Sequence, residues 1–505
     1  MEGELEVTAE PPPAPLPPPD PHPLVRGHNC WRIEKADQVR LIVDAADYFA
    51  LVRQAMMAAE KRIMLIGWDF DARVRIGPHG DPSGAPATIG RFVLWLARQK
   101  PELQVYLLRW DVGALKALFR GTTPFTVARW AMHKRIHVKL DGAHPFGASH
   151  HQKIVVIDDC LAFCGGIDIT SHRWDTREHL DDDPRRVGPH HAPYPAWHDA
   201  TMALSGPAAR ALDELARQRW RCAGGGELPA LSRETKLWPQ GVEPHFENVE
   251  VAIARTAPLY GDTPEAHEIQ ELYIDMIARA RRHVYIEGQY FASGLITEAI
   301  AKRLAEPDGP EFVLVTPQQA HGWLEQVAMD TARSRLFEAV KHYDHQNRFR
   351  IYMPFTAAGK PIYVHAKIMV MDDEVLRVGS SNLNNRSMRL DTECDVALDA
   401  TLPANAGIRG QITALRDDLM AEHLGADPAE VTRIVAETGS IIQAVEQLRG
   451  AGRSLHPYEP PPLTQVGAFL AEHELLDPDG PERTFEPLAR RNLFRRLRRP
   501  PPTAD

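Results

Sequence analysis

The sequence predicts an α/β protein of two pseudo-twofold-related sandwich halves in one chain, followed by a helical C-terminal extension. Three observations carry this expectation. The pattern His-x-Lys-x-x-x-x-Asp occurs twice, each time around a short apolar run. A helix-then-strand plan recurs about 220 residues apart. Continuous apolar runs alternate with amphipathic stretches, as expected for buried strands separated by helices.

In chain order, MEGELEVTAE and the proline-rich run after it form an arm over 1–27, too polar and too rich in proline to fold. The first half, 28–240, opens with AADYFALVRQAMMAAEKRIMLIGWDFD, an amphipathic helix running into an apolar strand. LQVYLLRW and HVKL read as further strands, GRFVLWLARQ as a helix between strands, and IVVI as the strand of the first motif. PAARALDELARQRW closes the half as a helix, and CAGGGELPALS links it to the next. The second half, 241–425, repeats the plan with AHEIQELYIDMIARARRHVYIEGQYFAS, then EFVLVTP, FRIYMPF and the motif strand IMVM. HGWLEQVAMDTARSRLFEAVKHY and GIRGQITALRDDLMAEHL are its later helices. The expected arrangement is a largely parallel sheet with helices on both faces. Residues 426–505 are helical at first and end in ARRNLFRRLRRPPP, where arginines interleave with large apolar residues as suits an anionic membrane surface.

A net charge of −10 rules out a general polyanion binder, so phosphate affinity has to be local. Five scattered cysteines form neither a disulfide framework nor a zinc spacing, which fits reduced thiols. The N-terminus has neither a basic start nor an apolar core, and the chain carries no spanning segment. The expected location is cytoplasmic, peripheral to a membrane at most. His144, His150, His190, His191 and His198 lack a second ligand pair at metal spacing, so neither a metal nor another cofactor is expected.

The motif copies share more than their core. The first carries His151, Lys153 and Asp158, then Gly165, Gly166 and Asp168; the second carries His365, Lys367 and Asp372, then Gly379, Ser380 and Asn382. Two imidazoles suit phosphodiester displacement near neutral pH, one neutral to attack and the other protonated to donate. Strand alternation sends His151 and Lys153 to one face, and likewise His365 and Lys367. The lysines can then hold the non-bridging oxygens, with Asn382 as a donor.

These motifs resemble the duplicated HKD motifs of the phospholipase D superfamily. The flanking RWDTREHL, WHDATMALSGPAA, YIEGQYF and NNRSMRLDTECD are similar to stretches in its eukaryotic-like branch, with Gly288 where Asn is usual. The resemblance implies that His151 forms a phosphohistidine, that His365 is the acid and then the base, and that no metal takes part. It assigns Glu393 to orienting a catalytic imidazole and directs the search for the first half's counterpart to Asp175 or Glu178. Asp158 and Asp372 belong to the motif set, and their position after a buried strand suits bracing. Asp168 departs from the superfamily's commoner Asn and suits holding a lysine or histidine, a change that favours the lipase branch.

The implied activity is hydrolysis of glycerophospholipids to phosphatidic acid and a head-group alcohol, with transfer to another alcohol as a variant. The expected partner is a phospholipid at a membrane surface, not a nucleic acid, met by a monomer that holds both motifs. The rivals are a nuclease or other non-lipid phosphodiesterase, a cardiolipin synthase-like transferase, and a catalytically silent membrane-binding protein.

Overall fold

A computed structural model describes residues 24–78, 81–111, 123–231, 236–320 and 323–460. The proline-rich run and the arginine-rich tail lie outside the described residues. Leu24, within the expected arm, is buried together with Cys30 in the second half's core.

The first half runs β1 (Arg32–Val43), α1 (Ala45–Ala58), β2 (Arg62–Gly67), α2 (Ile89–Gln99), β3 (Gln104–Trp110), α3 (Thr123–Ala131) and β4 (Ile136–Asp141). It continues with β5 (Ile154–Ile157), β6 (Leu161–Gly165), β7 (Trp197–His198), β8 (Ala200–Ser205) and α4 (Pro207–Cys222). The second half runs β9 (Phe246–Ala257), β10 (Ala266–His267), α5 (Glu268–Arg279), β11 (His283–Glu287), α6 (Gly294–Leu304), β12 (Glu311–Val315), α7 (Trp323–Tyr343) and β13 (Phe349–Phe355). It ends with β14 (Tyr363–Val364), β15 (Ile368–Met371), β16 (Val375–Gly379), β17 (Glu393–Asp399) and α8 (Arg409–Leu424). The extension adds α9 (Pro428–Thr438), α10 (Ile441–Leu448) and β18 (Ser454–Pro457).

The halves share one sheet in the order β18-β13-β12-β11-β15-β16-β17-β9-β1-β8-β6-β5-β2-β3-β4. The long strands β1 and β9 pair antiparallel at its centre, and the pseudo-twofold axis passes between them. The expectation of a largely parallel sheet is corrected. Only β2-β3-β4 and β11-β12-β13 run parallel within it, and the motif strands β5 and β15 are antiparallel to both neighbours. Their apolar runs reflect burial on both faces. Ile154 and Val156 face a core shared by the two halves, together with Ile368 and Val370. Val155 and Ile157 face the core under α1 and α2, whereas Met369 and Met371 face the core under α5 and α6. The two-residue period of a strand thus divides one motif between a common layer and a private one.

The extension is helical as expected in α9 and α10, whose first turns are capped by Asp427 and Ser440. Its strand β18 was not foreseen; it pairs with the free edge of β13. No helix among the described residues is long and apolar enough to cross a membrane. All five cysteines are free thiols.

Candidate active site

Each motif histidine stands just before its strand, and the other half fixes it. The His151 N–H donates to the Thr392 carbonyl at 3.0 Å, one residue before Glu393. The His365 N–H donates to the His198 carbonyl at 2.7 Å, one residue before Asp199. The side chains repeat the crossing: His151 Nδ1 lies 2.9 Å from both Glu393 oxygens, and His365 Nδ1 lies 2.7 Å from Asp199 Oδ2. An Nδ1–H donated to a carboxylate leaves Nε2 as the working nitrogen of each ring.

The carboxylate beside His365 is therefore Asp199, not Asp175 or Glu178. Asp175 is held by Arg186 at 3.0 Å and lies 3.1 Å from His179 Nδ1, while Glu178 is exposed. The two carboxylates occupy matching places. Gly165 pairs with Thr201 and Gly379 with Asp395, so each carboxylate precedes its glycine's partner by two residues. Close packing requires the glycines: a Cβ on Gly166 would meet Asp199 Oδ1 at 2.2 Å, and one on Gly379 would meet Asp395 at 1.9 Å.

Both lysines turn back onto the chain. Lys153 Nζ donates to the His151 carbonyl at 2.9 Å and pairs with Asp168 at 3.3 Å. Lys367 Nζ donates to the His365 carbonyl and lies 3.4 Å from Gln289 Oε1. Asp168 also accepts from the Trp68 N–H at 3.1 Å. Asn382 is buried, its N–H donating to Ser387 Oγ at 3.0 Å and its Oδ1 taking no hydrogen bond among the described residues.

Asp158 and Asp372 sit at the far end of the motif strands. Four strand residues at about 3.3 Å each separate them from the lysines. Each starts a hairpin turn with positive φ, 48° at Asp158 and 52° at Asp372, a conformation Asp tolerates better than most residues. Asp158 accepts from the N–H groups of Glu60, Lys61 and Arg62 at 2.6, 2.8 and 2.7 Å. Asp372 does the same with Arg281, Arg282 and His283 at 2.6, 2.8 and 2.9 Å. The motif aspartates brace the turn; the geometry gives them no place at the imidazoles.

Burial dominates the electrostatics. Desolvation, then Lys153 and Lys367, holds His151 well below the usual imidazole range. Desolvation, then Lys367 and Arg173, does the same to His365. Burial pulls Lys367 down to about 7 and pushes Glu393 up to about 8 against the pull of Lys153. Each imidazole is held by a carboxylate of the opposite half and feels the lysines of both motifs, so the two motifs form one site. Its walls include Trp68, edge-on to His151 at 6.2 Å, and Trp197, 5.2 Å from His365 with Arg173 stacked over it at 4.1 Å. Gln289, Ser387, Trp68 and Arg173 joined no site in the sequence reading. Arg173, Gln289 and Ser387, the last of which donates to Glu393 at 2.7 Å, lay within quoted motifs and could have been found there.

A family model described as Phospholipase D matches residues 55–258 and 340–471. The chain belongs to the phospholipase D family. It is 25% identical to "Phospholipase D alpha 1" of Carica papaya, over 84% of this chain and 68% of that one. It is also 25% identical to "Phospholipase D1" of Schizosaccharomyces pombe, over 77% of this chain and 35% of that one. The chain thus spans between 35% and 68% of the length of these curated relatives. Among solved structures, phosphatidylserine synthase of Haemophilus influenzae shares the fold, with a TM-score of 0.50 at 14% identity over 83% of this chain and 97% of that one.

Proposed function

We propose that the protein is a phospholipase D-type phosphodiesterase that cleaves the distal phosphodiester bond of glycerophospholipids through a phosphohistidine on His151. The observation that carries this reading is the crossed pair of imidazoles, each held at Nδ1 by a buried carboxylate of the opposite half. With Nδ1–H on Glu393, His151 Nε2 offers its lone pair to phosphorus. Before substrate enters, desolvation and the neighbouring cations keep His365 neutral, and the anionic phosphate arriving beside it favours its doubly protonated form. The P–O bond to the head group then breaks as the N–P bond forms, and His365 Nε2–H protonates the departing alkoxide. His365, now neutral, takes a proton from water, whose oxygen attacks phosphorus. The P–N bond breaks, releasing phosphatidic acid and restoring His151. An alcohol in place of that water gives a phosphatidyl alcohol.

The lysines supply the positive charge that the phosphoryl oxygens need; burial pulls Lys367 down to about 7, and an entering phosphate anion favours its protonated form. Three backbone N–H donors hold each of Asp158 and Asp372, each lysine donates to a backbone carbonyl, and no step of this scheme calls for a metal ion. The intended partner is a phospholipid presented at a membrane surface to a monomer.

The test is head-group release from mixed phosphatidylcholine and phosphatidylethanolamine vesicles with EDTA and a little ethanol. Wild type should yield choline or ethanolamine together with phosphatidylethanol, and His151→Ala and His365→Ala should yield neither. Turnover of oligonucleotides with intact lipid would replace the lipid reading by a nuclease one.

A further inference from the structure

Behind the catalytic cleft lies a second cluster that the proposed chemistry does not use. Asp44 comes from the β1–α1 corner, His179 from the connection between β6 and β7, His198 from β7, and Glu422 from the last turn of α8. All four side chains are at most 2% exposed. Of the histidines that the sequence set aside as a metal set, only His198 is here; its companion is His179, which the sequence reading did not weigh.

We propose that Asp44, His179, His198 and Glu422 hold a structural Zn²⁺ ion that joins the two halves. His179 Nε2 lies 3.2 Å from Glu422 Oε1 and 3.5 Å from Asp44 Oδ2. His198 Nδ1 lies 3.0 Å from Glu422 Oε1 and 3.5 Å from Asp44 Oδ1. The four donor atoms all lie within 4.8 Å of one another. A tetrahedral zinc site with bonds of about 2.1 Å has edges of about 3.4 Å, so small adjustments bring these atoms onto an ion.

Two further observations point to a cation. Each inward imidazole nitrogen faces two carboxylates, yet it can carry only one proton. Asp44 Oδ2, buried and turned toward His179, takes no hydrogen bond among the described residues. A central ion meets all of these at once. The outward nitrogens have the carboxylate partners typical of metal-bound histidine: Asp175 lies 3.1 Å from His179 Nδ1, and Glu287 lies 2.8 Å from His198 Nε2. Those carboxylates are anchored in turn, Asp175 by Arg186 at 3.0 Å and Glu287 by the Tyr285 hydroxyl at 2.7 Å. Binding exchanges two imidazole protons for one divalent ion, so the charge of the buried cluster is unchanged.

The site reaches the cleft through the backbone. The Asp199 N–H donates to Asp44 Oδ1 at 3.0 Å and the Asp44 N–H to the Asp199 carbonyl at 2.8 Å. The ion therefore positions the carboxylate that holds His365, while α8 ties it to the second half.

The test uses the full chain produced with zinc in the medium, washed natively with EDTA, and assayed for metal by mass spectrometry before and after unfolding in guanidinium with a chelator. The expected result is about one zinc per chain, retained through the wash and released on unfolding. Protein produced in cobalt medium should show the visible absorption of tetrahedral Co²⁺. His179→Gln should lose that band and the zinc, whereas His151→Ala and His365→Ala keep both. Wild type with less than about a tenth of a metal per chain overturns the proposal, whatever the variants do. Zinc lost from His151→Ala but retained by His179→Gln overturns it as well.

Discussion

The two halves share a frame and differ in charge. In both, an imidazole precedes a buried strand, a lysine follows two residues later, an aspartate braces the turn, and a carboxylate crosses from the opposite half. Beside Lys153, however, stands the anion Asp168 at 3.3 Å, whereas Lys367 has the neutral amide of Gln289 at 3.4 Å. Glu393 accepts from the hydroxyls of Ser380 and Ser387, and Asp199 accepts from the Ala200 N–H at 2.8 Å. The symmetry supplies position, and the departures from it separate the roles. On the proposed scheme the first half offers the nucleophile beside a lysine paired with an anion. The second offers a lysine whose contacts are a neutral amide and a carbonyl, with Asp199 the anion that acts on it most strongly.

The sharpest way to break this comparison is to remove each imidazole in turn. His151→Ala should lower kcat by at least about 10⁴-fold on every substrate, because nothing else takes the phosphatidyl group. His365→Ala should slow the burst by about 10²–10⁴-fold on phosphatidylcholine but far less on a p-nitrophenyl phosphatidyl ester, whose leaving group needs no proton, while steady-state turnover falls on both because water loses its base. Burst kinetics on the two substrates decide it, and equal burst losses on both for both variants would remove the division of labour.

The lysines come next. Lys367→Met should lower kcat/KM by about 10²–10³-fold, the scale of losing one electrostatic stabiliser, and Lys153→Met by clearly less. Lys153→Met should instead destabilise the fold by about 3 kcal/mol, because it leaves the Asp168 carboxylate buried and unpaired. Adding Asp168→Asn should restore much of that in denaturant melts. The reverse ranking in kcat/KM would assign the phosphate to the first half.

The carboxylates have a smaller effect and a characteristic pH signature. Glu393→Gln and Asp199→Asn should each cost about 10²-fold, while Glu178→Gln leaves kcat unchanged. Burial pushes Glu393 up to about 8, so the His151–Glu393 pair holds one proton more at neutral pH than attack allows. That proton leaves as pH rises. The rate of phosphatidyl transfer onto His151 should therefore peak between about pH 7 and 8 in wild type, raised as Glu393 loses its proton toward about 8 and lowered as Lys367 loses its charge above about 7. Glu393→Gln should keep only the falling limb. Burst rates between pH 6 and 9 would show it.

The motif aspartates should affect turnover least. Asp158→Ala and Asp372→Ala each abandon three backbone donors, and each should lose about 2–3 kcal/mol of stability while the folded enzyme keeps its kcat. A large loss of kcat with stability intact would return these carboxylates to the chemistry.

The fold was legible because the repeat is written in apolar periodicity, which survives substitution of individual residues. Strand direction was not, because burial on both faces erases alternation whether neighbours run parallel or antiparallel. Glu393 was legible from the motif after Asn382, eleven residues away. Asp199 was missed because its half inserts a long connection there, placing it thirty-one residues after Asp168. The signal lay in the strand that follows, since both carboxylates directly precede or begin a wholly buried run, Ala200–Ser205 and Glu393–Asp399. The cluster around His179 and His198 was illegible for a simpler reason: its four donors come from four places in the chain, and no spacing announces them.

The central claim is a covalent phosphatidyl group on His151. His365→Ala, given the p-nitrophenyl ester and quenched within one turnover, should accumulate it, because the base that activates water is gone. Peptide mass spectrometry at alkaline pH should then find the adduct on the peptide carrying His151. An adduct on His365 in the converse variant, or none on either histidine despite a burst of nitrophenol, would contradict the account.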